Sequence, residues 1–208
     1  AILVHGFVRD LSQDESDLMA AYEAIATNEV SGVGSYTPTL TWSSIPQTYE
    51  HLVLRGSLRK GGIATSSGSG IDSAMKMAFN NNTASTWAES WFGPSGGGGA
   101  RAVNTLGYVR DISSNGTRYP HATFVEIVIC GYSLTTNPKT AMYRTWGGRT
   151  ASTTNTEVCL NIGVICEDPD GGTLAAISEI DLTCTGASTE NLAFGQGSIM
   201  TLYGLNSS

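Results

Sequence analysis

Charge is what this sequence has least of. Across 208 residues there are 11 Lys and Arg and 18 Asp and Glu, 14% charged in all, against ~25% in an ordinary soluble domain. The net charge of −7 and the scatter of the few basic residues exclude the clustered Lys/Arg footprint that a phosphate backbone requires. Nucleic acid is therefore not an expected partner. Long hydrophobic runs are also missing. The opening AILVHGFVRD is too short to span a bilayer and lacks the basic lead and cleavage site of a signal peptide, so no membrane insertion is expected.

Reactive patterns are equally scarce. The four cysteines, Cys130, Cys159, Cys166 and Cys184, form no CxxC and end apolar strand-like runs such as VEIVIC and IDLTC. They read as small buried hydrophobes in a reducing environment rather than disulfide or metal ligands. His5, His51 and His121 make no HxH or HExxH pattern. Gly93 to Gly97 formally fits GxSxG, but a nucleophile elbow needs a strand before it and a helix after it, and here glycines follow. There is no P-loop. Glu89, Asp111 and Glu126 are available as carboxylates, with nothing to bring two of them together as sugar hydrolysis demands. Glu167, Asp168 and Asp170 around Pro169 have oxygen ligands for calcium, but DPDGG is equally a turn with solvated carboxylates. No metal, no cofactor and no catalytic residue is expected.

What is present is a chain of strands and turns. Glycine is 25 of 208 residues, above the usual ~7%, and Ser, Thr and Asn abound. The stretch WSSIPQTYEHLVLRGSLR (42–59) organises the rest. Pro46 forces an extended approach. Then Leu52, Leu54 and Leu58 alternate, with Gly56 between, against Val53, Arg55, Ser57 and Arg59. That is a half-buried strand. Met75, Met77 and Phe79 alternate with Lys76 and Ala78. Phe124–Cys130 points Val125, Ile127 and Ile129 inward and Glu126 outward. Thr140–Trp146 reads as another strand. Val158–Cys166 is apolar on alternate positions, at Val158, Leu160, Ile162 and Val164. Ile177–Cys184 and Ser198–Leu205 complete about eight strands. Asn115-Gly116 is a tight-turn signal. An all-β, antiparallel β-sandwich of jelly-roll type follows over residues 36–208. In GSIMTLYGL, Tyr203 before Gly204 reads as a structural lock, a ring buried with its hydroxyl on nearby backbone.

The first thirty-five residues differ. Ile2, Leu3, Val4, Phe7 and Val8 make an extended segment apolar on both faces. Ser12 and Glu15 have capping-box spacing. Leu18, Ala21, Tyr22 and Ile25 then follow at helical spacing, ending near Asn28. Residues 1–35 therefore read either as a strand-plus-helix arm joined by SGVGS, with Ile2, Val4, Phe7, Leu18, Tyr22 and Ile25 as its docking residues, or as a segment whose helix caps the sandwich.

Several blocks occur in an order that resembles a known family. SSIPQTYEHLVL is similar to its "SSIPQTYxDLVL", and FNNNTAST (79–86) to its "FNGDTGxxY". VEIVICGYS with Lys139-Thr140 is similar to "xxIxIxNYxxxxxKT", and AISEIDL (176–182) with GSIMTLYGL (197–205) to the closing "AITxIxL…GSxxxLYGI". The family is a β-sandwich domain of tailed-bacteriophage virion proteins, found in tail-fibre, minor structural and head-decoration components. His51, Asn81 and Cys130-Gly131 depart from its pattern. The resemblance covers roughly residues 40 to 205 and implies a non-enzymatic particle component located in the virion. Other capsid or tail proteins are its expected partners, with assembly as a homo-oligomer, a trimer. The rival expectation is a carbohydrate- or receptor-binding module at a fibre tip. Trp87, Trp91 and Trp146, in loops 87–99 and 144–150, read first as core or subunit-interface aromatics; under the rival expectation a host surface glycan would stack on them.

Overall fold

The computed structural model describes residues 22–32, 36–61, 73–82, 87–92, 99–103, 107–112, 122–150, 156–167, 174–185 and 193–206. Among these residues every regular element is a strand. They are β1 (Glu23–Glu29), β2 (Tyr36–Thr37), β3 (Thr39–Trp42), β4 (His51–Leu58), β5 (Lys60–Gly61), β6 (Ser73–Phe79), β7 (Trp87–Phe92) and β8 (Gly99–Val103). Then come β9 (Gly107–Ile112), β10 (Thr123–Cys130), β11 (Thr140–Thr150), β12 (Thr156–Glu167), β13 (Ile180–Thr185), β14 (Ala193–Gly195) and β15 (Ile199–Leu205).

The strands form a large sheet ordered β1-β15-β4-β10-β11-β12-β7-β8, a four-stranded sheet β3-β13-β6-β9 and a small ribbon β2-β14-β5. Neighbours such as β4–β10, β10–β11 and β13–β6 pair antiparallel. The architecture is all-β and compatible with a β-sandwich. One apolar cluster joins the two larger sheets. Leu52, Leu54 and Leu58 of β4, with Val125, Ile127 and Ile129 of β10, share it with Trp42, Met75, Met77, Phe79 and Leu182 of the smaller sheet. This is the alternation read in 42–59 and 124–130, and both strands bury the side that the pattern marks.

The motif loops hold the two sheets in register by hydrogen bonds. Gln47 Nε2 donates to the carbonyls of Ile45 (2.9 Å) and Ile177 (2.8 Å). Asn80, at φ +51°, accepts from the backbone N–H groups of Ser178 (2.8 Å) and Glu179 (3.2 Å) and donates to the Ala176 carbonyl (2.9 Å). Buried Lys139 donates to the Leu134 carbonyl. Each motif of the family-like pattern thus has a structural task.

Three expectations change. The helix expected to run to Asn28 is not there over its second half, because Glu23–Glu29 is an edge strand paired with β15. A bulge between Ala24 and Ala26 interrupts the ladder. It leaves Ile25 and Asn28 half-buried, three residues apart, which imitates helical spacing. Backbone pairing with β15 overrides the local pattern. Residues 1–21, with Ile2, Val4, Phe7 and Leu18, lie outside the described residues. The tyrosine lock is also not Tyr203. Tyr132 is the fully buried ring; it donates its hydroxyl to the Pro46 carbonyl and accepts from the Tyr49 N–H at 3.3 Å. Gly204 instead makes room for Tyr49, whose ring atoms lie 2.3–2.4 Å from where a Cβ would stand. Gly197, by contrast, does serve a turn, at φ +81°. Finally, Cys184 is buried as expected but Cys130 is exposed, because it falls on the outward side of β10.

Candidate functional site

Opposite residues in an antiparallel pair project to the same face, so the pairings write out the outer surface of the large sheet in rows. Across β15, β4, β10, β11 and β12 one row runs Ile199, Ser57, Phe124, Trp146, Leu160. The next is Thr201, Arg55, Glu126, Arg144, Ile162, then Tyr203, Val53, Val128, Met142, Val164. The opposite face of the same strands is the core. The row on β12 that sequence alternation marks as apolar, Leu160, Ile162 and Val164, is the exposed one, while Asn161 and Ile165 are buried.

This surface is unusually greasy for a water-facing sheet. Phe124, Met142, Leu160, Ile162, Val164 and Ile199 are each 41–51% exposed. At about 150–200 Å² of full surface apiece they leave on the order of 500 Å² of apolar surface in water, near the top of the range for the largest patch on a monomer. Phe124 and Trp146 stack with centroids 5.7 Å apart and planes 7° from parallel. The Arg144 guanidinium lies 5.4 Å from the Trp146 centroid.

A charged cluster sits in the middle. Glu126, its side chain only 10% exposed, accepts from Arg55 at 2.6 and 2.8 Å and from Arg144 at 2.6 Å. Hydrogen bonding to Glu126 raises the Arg55 pKa further above its ordinary value, outweighing the opposing effect of desolvation. Tyr22, the first described residue, leans onto the same face. Its ring meets Tyr203 edge-on at 6.1 Å, and Arg55 lies 5.5 Å from its centroid. The Glu126 carboxylate is thus held by two arginines within the face.

The residues singled out from sequence come together only in part. Tyr22 lies at the margin of this face, and Ile25 packs against the core from the β1 bulge. Trp146 is on strand β11 and not on a loop. Trp87 and Trp91 are likewise on a strand, β7, paired with Glu167 and Gly163; their side chains lie outside the described residues. Polar flanks such as NNNTAST and GPSGGGG made WAESWF look like loop, whereas its aromatic content favours a strand. What sequence reading missed was the group Arg55, Phe124, Glu126, Met142, Arg144. The available signal was β12 itself, where asparagine and glycine occupy one side and aliphatic residues the other.

Only part of the set of reactive candidates falls among the described residues. The Glu126 carboxylate is committed to two arginines. His51 Nδ1 accepts from the Gly131 N–H at 3.3 Å, while His5 and His121 lie outside the described residues, as do residues 93–98 of the GxSxG stretch. Among the described residues no three His, Cys, Asp or Glu gather as a metal set; Asp168 and Asp170 lie outside them. A polar hollow of about 340 Å³ on the smaller sheet is lined by Thr39, Thr41, Glu179 and Asp181. There Asp181 is already engaged by the Thr41 hydroxyl at 2.5 Å. Comparison with protein families, with curated proteins and with solved structures found no match for this chain.

Proposed function

We propose that this chain is a non-enzymatic structural component of a bacteriophage particle, a β-sandwich of jelly-roll type that works by packing against neighbouring subunits. The observation that carries the reading is the outer face of the large sheet. An apolar surface of this size, with its central Glu126 carboxylate held by Arg55 and Arg144, is built to be covered. The family-like order of the SSIPQTYEHLVL, FNNNT, KT and LYGL blocks supports placing it in a virion. The structural tasks of Gln47, Asn80, Lys139 and Gly204 support reading those blocks as fold-defining. Assembly is homo-oligomeric, and residues 1–21, leading into Tyr22 at the margin of the face, dock the subunit to capsid or tail proteins. Quantitative mass spectrometry of purified particles tests the reading. The chain is expected at a fixed, symmetry-related copy number, and deletion of residues 1–21 should lower it. Absence of the chain from purified particles refutes the proposal.

The Phe124–Trp146 stack favours one second reading, a sugar-binding platform on a fibre, since coplanar exposed aromatics receive pyranose faces. Binding on a glycan array that disappears in Trp146→Ala supports it, and silence across the array counts against it.

A further inference from the structure

We infer that the occupant of this face is a second copy of the same chain, seated sheet against sheet with a two-fold axis running along β12. The inference rests on the assembly reading above and deepens it by naming partner and register.

Three observations select a second copy. The first is area. An axis along β12 covers β10, β11, β12, β7 and β8. The exposed parts of Phe124, Met142, Leu160, Ile162 and Val164 with the half-exposed Arg144 give about 550 Å² per partner, and the total of about 1,100 Å² clears the roughly 1,000 Å² that a specific interface needs.

The second is charge. The chain carries −7 overall, so two copies repel across most approaches. On the strands that this contact covers, the described charges are Glu126 and Arg144, which pair with each other, while Arg55 on β4 and Glu29 on β1, opposite Ile199, lie beyond it. It is therefore a surface on which two acidic copies meet without opposing carboxylates.

The third is the distribution of side chains about β12. An axis along that strand sets Leu160, Ile162 and Val164 of one copy on the same residues of the other. It also brings β11 of each copy over β7 of its partner. Met142 and Thr140 of β11 share rows with Ser90 and Ala88 of β7, both small and exposed, so large side chains meet small ones. Glu126 lies two strands from β12, about 10 Å at the usual spacing, which puts the two charged clusters about 20 Å apart on opposite sides of the axis. Like charges then do not face each other. The contact is isologous, as two-fold interfaces are, and it makes the building unit a dimer and not the expected trimer.

Sedimentation velocity of the full chain across a concentration series tests this. The wild-type chain should sediment as a dimer. Ile162→Arg and Val164→Lys should each weaken the dimer by at least about 100-fold, because each buries two unpaired charges on the axis. Leu134→Arg should change nothing, since Leu134 is comparably exposed but lies in the loop after β10. Circular dichroism checks that each variant is folded. In a Cys130→Ser, Cys166→Ser background, Ile162→Cys should form a symmetric disulfide dimer on oxidation and Leu134→Cys should not. A monomeric wild-type chain, an oligomer indifferent to both charge insertions, or no cross-link at position 162 overturns the inference. None of these results touches the virion proposal, which fails only if the chain is absent from particles.

Discussion

Asn80 offers a test of how the two ends of the family-like pattern are fastened. It ends β6 in the left-handed region, and its amide reaches residues nearly a hundred positions away. In Asn80→Ala the backbone N–H groups of Ser178 and Glu179 lose their acceptor and the Ala176 carbonyl loses its donor. At about 0.5–1.5 kcal/mol for each of three hydrogen bonds, two partly buried and that from Ser178 exposed, the loss is ~1.5–4.5 kcal/mol. Alanine at φ +51° adds roughly 1 kcal/mol of backbone strain. The expected destabilisation is therefore about 3–4 kcal/mol after allowing for water replacing part of the exposed Ser178 contact. Asn80→Gly keeps the backbone conformation available and should be milder by about 1 kcal/mol. Urea unfolding followed by tryptophan fluorescence is the assay. With an m-value near 2 kcal/mol/M, the Asn80→Ala midpoint should fall by about 1.5–2 M at unchanged m. A fall below about 0.3 M refutes the fastening role, and identical Ala and Gly midpoints refute the strain component.

Two further outcomes follow from the same geometry. Burial raises the Tyr132 pKa, partly offset by the Tyr49 N–H that it accepts, so the folded chain holds this proton when the unfolded chain has begun to release it. Stability should therefore be intact below pH ~10 and fall as pH rises from there through the folded pKa; Tyr132→Phe should be less stable at pH 7 but lose less between pH 9 and 11, read by thermal melts. Gly204→Ala drives a methyl into the Tyr49 ring and should cost about 1–3 kcal/mol in urea unfolding, with Tyr49→Ala in the same chain relieving the added cost.

The strands whose alternation is undisturbed were legible in the sequence. Leu52, Leu54 and Leu58 against Arg55 and Ser57, and Val125, Ile127 and Ile129 against Glu126, face as their pattern states. Glu23–Glu29 was not legible because one inserted residue turns period two into an apparent period of three. The assembly face was hidden for a different reason. Alternation says that Leu160, Ile162 and Val164 share a side, but not whether that side meets this chain's core or another surface. Only the pairing of β12 with β11, and through it with β10, fixes that. The Arg55–Glu126–Arg144 cluster joins the consecutive strands β10 and β11 to β4, 71 residues away between Arg55 and Glu126, and the Asn80 fastening likewise spans residues distant in sequence.

The claim on which the account stands is that the outer face of the large sheet is covered in the working protein. Met142, half-exposed near its centre, is a native oxidation reporter. Hydroxyl-radical footprinting should label Met142 several-fold more slowly in the wild-type chain than in Ile162→Arg at the same concentration, with Leu134 labelled equally in both. Equal Met142 rates in the two proteins would contradict it.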